Sequence, residues 1–188
     1  GLDMRRKLIL SGIKREKIIN AEALRYISLS KIRKIKKKLK TKNKVRVLVT
    51  LDIANEVAKT QIELVKKLIK EDKNLDIKIR IHPTGNIKPE KYKEIYSKFS
   101  TNPLLKLLIK TDIMFSSNIT AAAAEAYVLG VPVLTYIDPN TLNLSPLKDK
   151  KEIKFLSDIK NFLKVVTMLK RNKIKSRKNE NFFFINKS

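Results

Sequence analysis

The stretch TDIMFSSNITAAAAEAYVLGVPVLTY, Thr111 to Tyr136, constrains the fold more than any other part of the chain. A short apolar run, Asp112 to Phe115, ends in Ser116-Ser117-Asn118. Helix formers follow from Ile119 to Leu129, Gly130 stops them, and Pro132 opens a second apolar run to Ile137. Strand, polar turn, helix, glycine stop and strand in this order describe a βαβ unit. Ser116, Ser117 or Asn118 would cap the helix and leave backbone N–H groups pointing outward. Such a helix end favours an anion, because unpaired N–H groups and the helix dipole both attract negative charge. Serines at helix starts also cap without binding anything, so this stretch leaves phosphate binding and simple capping both open.

The flanking sequence repeats the alternation. Val45 to Thr50, VRVLVT, is a β-branched strand, and Asp52 to Asn55 is the turn after it. Glu56 to Lys70 is an amphipathic helix with Val57, Ile62, Val65, Leu68 and Ile69 mostly on one side. Leu75 to Ile81 alternates apolar and polar and predicts the next strand, with His82-Pro83-Thr84-Gly85 at its carboxyl end. Pro83 prevents the strand from continuing and Gly85 permits a tight turn. Beyond it the pattern predicts a polar helix from Pro89 to Phe99 and a short helix from Pro103 to Lys110 capped by Asn102. After the βαβ unit come a loop from Asp138 to Pro146, a short strand from Ile153 to Leu156, and a helix from Asp158 to about Lys170 capped by Ser157. The expected fold is α/β, a Rossmann-like parallel sheet with helices on both faces. Ligands of such sheets bind outside the carboxyl ends of the strands, where His82 and Ser116-Ser117 both fall.

The formal net charge is +25, which invites a nucleic-acid reading. The charge is uneven: residues 1–44 and 164–188 carry 24 Lys/Arg against 4 Asp/Glu, whereas residues 45–163 carry 19 against 14. Lysines number 34 and arginines 9, with abundant Ile and Asn, a bias that an AT-rich coding sequence would produce by itself. A field of this size would draw the chain to polyanions or to an anionic membrane surface. There is no cysteine, which excludes disulfides and thiolate metal sites. No apolar run approaches the roughly 20 residues a spanning helix needs, and Leu8 to Ile13 is too short for a secretory signal. The expected location is cytoplasmic.

The ends divide from the body. Residues 1–44 predict a short strand at Lys7 to Leu10, a turn at Ser11-Gly12 and a basic linker. Within that linker Ile32, Ile35 and Leu39 would share one face of a short helix. Residues 45–170 form the predicted domain. Residues 171–188 are a basic tail whose Phe182-Phe183-Phe184-Ile185 would bury against this domain or against another one.

His82 is the only histidine. A lone histidine is more often structural than functional, but its strand-end position and the fixed backbone of Pro83 suit an imidazole that donates to a phosphate oxygen. With no second histidine and no cysteine, a zinc site fails. No Walker loop and no GxGxxG is present. Glu125 sits among small and apolar neighbours on the predicted helix. There it is a solvated helix carboxylate or an acceptor for ribose hydroxyls of a nucleotide whose phosphate sits at the helix start.

These residues together carry a resemblance. His82-Pro83 with Ser116-Ser117, followed by Glu125-Ala126 and Leu129-Gly130-Val131-Pro132-Val133, resembles the C-terminal, donor-binding half of GT-B glycosyltransferases. It is similar to the HP and SS motifs of bacterial sialyltransferases, and Leu142 to Leu147 resembles surface-carbohydrate biosynthesis transferases. The resemblance covers residues 45–156 and implies one half of a GT-B fold binding a nucleotide-sugar donor, CMP-linked by the motif pair. It implies that His82, Ser116, Ser117 and Asn118 hold the donor phosphate, and that Pro83, Thr84, Gly85, Thr120 and Glu125 lie against the nucleotide or its ribose. It further implies an inverting, metal-independent reaction with no cofactor, consistent with the lack of a DxD motif. The catalytic base and the glycan or lipid-linked acceptor would belong to an N-terminal half, so that no catalytic residue is expected in this chain. Residues 1–30 would be the end of that half. Two other readings remain. A nucleic-acid-binding module has the net charge in its favour, but its basic residues avoid the central body and lack interleaved aromatics. A nucleotide-sugar epimerase is allowed because fold does not fix reaction.

Overall fold

The computed structural model describes residues 2–30, 44–139, 141–170 and 182–183. In chain order its elements are α1 (Leu2–Leu10), α2 (Ile27–Ser30), β1 (Val45–Thr50), α3 (Asn55–Glu71), β2 (Leu75–Arg80), α4 (Leu104–Leu108), β3 (Ile113–Ser117), α5 (Ala121–Val128), β4 (Val133–Tyr136), β5 (Lys154–Leu156) and α6 (Ile159–Lys170). Short 3-10 turns lie at Arg15–Lys17, Leu24–Tyr26, Pro89–Lys91 and Lys93–Lys98.

All five strands run parallel in the order β2-β1-β3-β4-β5. Alternation along the strands divides the core in two. Val47, Val49, Ile77, Ile79, Ile113, Phe115 and Leu134 pack toward α3 and α6, where Phe162 meets Phe115 edge-on at 5.3 Å. Leu48, Met114 and Val133 pack on the other face, against Leu108 of α4, Ala123, Ala126 and Tyr127 of α5, and Leu29 of α2. Helices therefore cover both faces of a Rossmann-like α/β fold. The strand order reverses between β1 and β3, and the crevice outside their carboxyl ends is where such folds place ligands. No helix among the described residues is long and apolar enough to cross a membrane.

At Gly130 the stop is a full Schellman closure. The Val131 N–H donates to the Ala126 carbonyl at 2.8 Å and the Gly130 N–H to Tyr127 at 3.0 Å, with Gly130 at φ +73°. Gly12, at φ +89°, closes α1 in the same way, with Ile13 bonded to Leu8 and Gly12 to Ile9. The expected strand at Lys7 to Leu10 is thus the last turn of a helix. Three apolar residues, Leu8 to Leu10, carry no period, and the glycine after them is the informative residue.

Four other expectations change. Pro89 to Phe99 is two 3-10 turns broken at Tyr92, because Ile95 is its only buried residue and no apolar stripe exists to hold an α-helix. Pro103, not Asn102, stands at the N-cap of α4, and the Asn102 amide donates to Ser100 Oγ at 3.3 Å. Asp158, not Ser157, caps α6: its carboxylate accepts from the Asn161 N–H at 2.9 Å and from the Asn161 side chain at 2.8 Å. Finally, β3 runs through both serines, which are strand residues rather than turn residues. The predicted helix carrying Ile32, Ile35 and Leu39 lies outside the described residues.

Candidate functional site

A cavity of about 320 Å³ opens at the carboxyl ends of β1 and β2, beside the first turn of α5. Each wall follows from a local rule. Thr50 is the last residue of β1, and its register partner on β2 is Arg80; both point to the α5 face and line the cavity. Past Arg80 the chain turns at once, with the Gly85 N–H donating to the His82 carbonyl at 2.8 Å. Gly85 is needed for space. A Cβ there would lie 3.2 Å from the His82 carbonyl oxygen. The turn brings His82 and Pro83 to the cavity. The Thr84 N–H donates to His82 Nδ1 at 3.3 Å, and Thr84 Oγ1 lies 2.9 Å from the same nitrogen. With Nδ1 accepting, the neutral ring carries its proton on Nε2 and presents a donor.

The opposite wall is the start of α5. Thr120 stands at its N-cap with no side-chain cap bond. Ala121 and Ala122 line the cavity, and first-turn N–H groups have no intrahelical acceptor. Thr50 and Thr120 are 3% and 5% exposed, yet neither hydroxyl has a hydrogen-bond partner among the described residues. Two buried, unpartnered hydroxyls beside an uncapped helix start are donors without an acceptor. Glu125 lies one turn further along α5 and is the only acidic residue among the described residues that line the cavity. Burial pushes its carboxyl above the usual range, opposed by the charges of Arg25 and Arg80. The site therefore presents two guanidinium groups, an imidazole, hydroxyls and a helix N-terminus around one carboxylate. That set suits an anion joined to a hydroxyl-bearing group.

Of the predicted residues, His82, Pro83, Thr120 and Glu125 converge on this cavity. Thr84 and Gly85 shape the turn that carries His82. Ser116 and Ser117 are fully buried and, as neighbours on a strand, face opposite sides of the sheet. Ser116 lies on the α5 face beside Thr50, and neither serine caps α5. Asn118 does not cap α5 either; its amide donates to the Leu142 carbonyl at 2.8 Å and ties the loop after β4 to the end of β3. Three cavity residues, Thr50, Arg80 and Arg25, lie outside the set to which the sequence motifs point. Arg80 was legible, since period two places it on the same side of the strand as His82. Arg25 had no such signal.

A larger groove of about 760 Å³ lies elsewhere, bordered by Lys78, Lys106, Lys110, Asp76 and Glu90. Its charges are mixed, and none of the buried unpartnered hydroxyls borders it, so it has the weaker claim. Among the described residues no group of three or more His, Cys, Asp or Glu could hold a metal ion. No protein-family model matches the chain, and no curated protein matches it significantly. What the cavity can do follows from its own geometry.

Proposed function

We propose that this chain carries the donor-binding domain of a metal-independent glycosyltransferase of the GT-B type, taking a nucleotide-linked sugar; the CMP linkage rests on the sequence resemblance, of whose two motifs only His82-Pro83 borders the cavity. The observation that carries the reading is the convergence of His82, Arg80, Thr50 and Thr120 on an uncapped helix start with Glu125 one turn away. In this reading the donor phosphate sits against the first turn of α5, and Glu125 accepts from the ribose hydroxyls. When the bond from the anomeric carbon to the phosphate oxygen breaks, the leaving nucleotide gains negative charge, which the His82 Nε2–H, Arg80 and the helix end stabilise. The acceptor oxygen forms the new bond, and its proton goes to a base on a second domain that the GT-B arrangement requires. The basic ends would hold such an enzyme against an anionic membrane surface where lipid-linked acceptors reside.

The test is titration of the purified chain with CMP, CDP, UDP and GDP, followed by calorimetry and amide shifts. Saturable, selective cytidine-nucleotide binding that perturbs His82 and Ala121 is expected, and His82→Ala should weaken it without unfolding the domain. Preference for UDP or GDP would discard the CMP-linked donor. No nucleotide binding, together with tight, steeply salt-dependent binding of DNA or RNA, would overturn the transferase reading.

A further inference from the structure

Arg25 reaches the cavity from outside the sheet's own loops. It sits in the 3-10 turn Leu24–Tyr26, ahead of the first strand, yet it lines the cavity with Arg80, His82 and Glu125. Among the described residues it makes no ion pair, although it lies close enough for its charge to act on Glu125. A chain of aromatic rings begins beside it. The Arg25 guanidinium carbon lies 5.6 Å from the centre of the Tyr26 ring. Tyr26 stacks face to face on Phe183, with centroids 3.8 Å apart and planes within 8°. Phe183 meets Phe182 edge-on at 5.0 Å, and Phe182 meets Tyr127 edge-on at 5.5 Å. Tyr127 is two residues beyond Glu125 on α5, and its hydroxyl donates to Glu152 at 2.6 Å. The chain of rings thus runs from the residue next to the cavity's cation to the helix that carries the cavity's carboxylate.

We propose that Phe183 is a positioning residue: by stacking on Tyr26 it holds Arg25 over the cavity, so that a ring near the far end of the chain sets the charge facing the ligand. A long arginine side chain loses much rotamer freedom when fixed, and a stacked neighbour lowers that cost by fixing the backbone that bears it. The ligand half of this inference rests on the function proposed above. The placement of Arg25 does not.

The experiment uses the full chain and two readouts. The first is the titration of the Glu125 carboxyl, followed by carbon NMR with no ligand present. Arg25→Gln removes a cation that favours the ionised form, so the Glu125 midpoint rises. Phe183→Leu, which keeps apolar cover but loses the ring face, should raise it in the same direction and add nothing in the Arg25→Gln background. Phe183→Tyr should restore the wild-type midpoint. The second readout is CMP affinity, expected to fall roughly two- to tenfold in Phe183→Leu, the range of one aromatic pair, again with no further loss when combined with Arg25→Gln. A Glu125 midpoint unmoved by Phe183→Leu in a folded chain, or fully additive effects of the two substitutions, overturns the proposal. If the wild type binds no CMP, the CMP-linked donor is discarded while the titration still decides the role of Phe183. If Phe183→Leu does not fold, Tyr26→Leu breaks the same stack from the other side and is read in the same way.

Discussion

Thr50 and Ser116 stand opposite one another across β1 and β3, with their side chains on the same face of the sheet, and neither hydroxyl has a hydrogen-bond partner among the described residues. Thr135 continues the row on β4, equally buried and unpartnered. Only Thr50 borders the cavity. Replacing an unpartnered buried hydroxyl by an apolar group of similar shape removes a desolvation cost of about 1–3 kcal/mol, so Thr50→Val and Ser116→Ala should leave stability unchanged or raise it by up to about that amount in urea unfolding. Their effects on ligand should part. Thr50→Val is expected to weaken CMP binding roughly fivefold, the worth of one hydrogen bond, and Ser116→Ala to change it little. An equal loss from both would mean that ligand oxygens reach beneath α5.

Glu125 links the site to pH. Its folded carboxyl titrates above the ordinary value because burial disfavours the charge, and Arg25 and Arg80 recover only part of that cost. Between the ordinary glutamate pKa and the raised one, the folded state binds more protons than the unfolded state. Stability contributed here is therefore greatest below that window and falls as pH rises through it. Glu125→Gln should abolish that component of the pH dependence and match or exceed the wild type at neutral pH in urea unfolding. Binding should separate by ligand: the substitution removes a repelling charge and strengthens inorganic phosphate, but weakens nucleotides if the carboxylate accepts from ribose. Weakening of both would place Glu125 in a structural role.

The βαβ unit at Thr111 to Tyr136 was legible because glycine, proline and apolar period all agreed on the same boundaries, and so were β1, α3 and β2. Where the signals were fewer, expectation failed. Lys7 to Leu10 lacked a period, and Pro89 to Phe99 lacked an apolar stripe. The pair Ser116-Ser117 misled for another reason. Two hydroxyls in sequence look like one patch, but a strand sends them to opposite faces. The cavity's second guanidinium was beyond reach, because Arg25 arrives through Tyr26 and Phe183, residues 157 positions apart in the chain, and no local pattern encodes that stack.

At the other end of the sheet, Arg46 and Asp112 join β1 to β3. The Asp112 carboxylate accepts from the Arg46 backbone N–H at 2.9 Å, from Nε at 2.9 Å and from an Nη at 2.7 Å, and the Asp112 N–H donates to the Arg46 carbonyl at 2.9 Å. Asp112 is 6% exposed, while the Arg46 side chain is 29% exposed. Asp112→Ala should cost about 2–3 kcal/mol, between the values for exposed and fully buried pairs. Asp112→Asn keeps acceptors for some of these bonds and should cost less. Neither should change ligand affinity, since the pair lies outside the cavity. Denaturant midpoints and CMP titration of the same samples check both statements.

His82 is the strongest single test of the site, and its neighbours make the test selective. Loss of a hydrogen bond to a charged group costs about 1.5–3 kcal/mol, so His82→Ala should weaken CMP roughly 10- to 100-fold with little change in unfolding midpoint, because the ring is not in the core. Thr84→Ala leaves the imidazole in place but removes the hydroxyl 2.9 Å from Nδ1; a loss of roughly fivefold is expected, the worth of one neutral hydrogen bond. Gly85→Ala places a methyl 3.2 Å from the His82 carbonyl oxygen, so the turn must open by a few tenths of an ångström and swing the imidazole. It should therefore weaken CMP while His82 itself is intact, and in the His82→Ala background it should do nothing more. If Gly85→Ala weakens binding equally with and without His82, the turn acts on the ligand by some other route, and the imidazole is not the donor that the cavity provides.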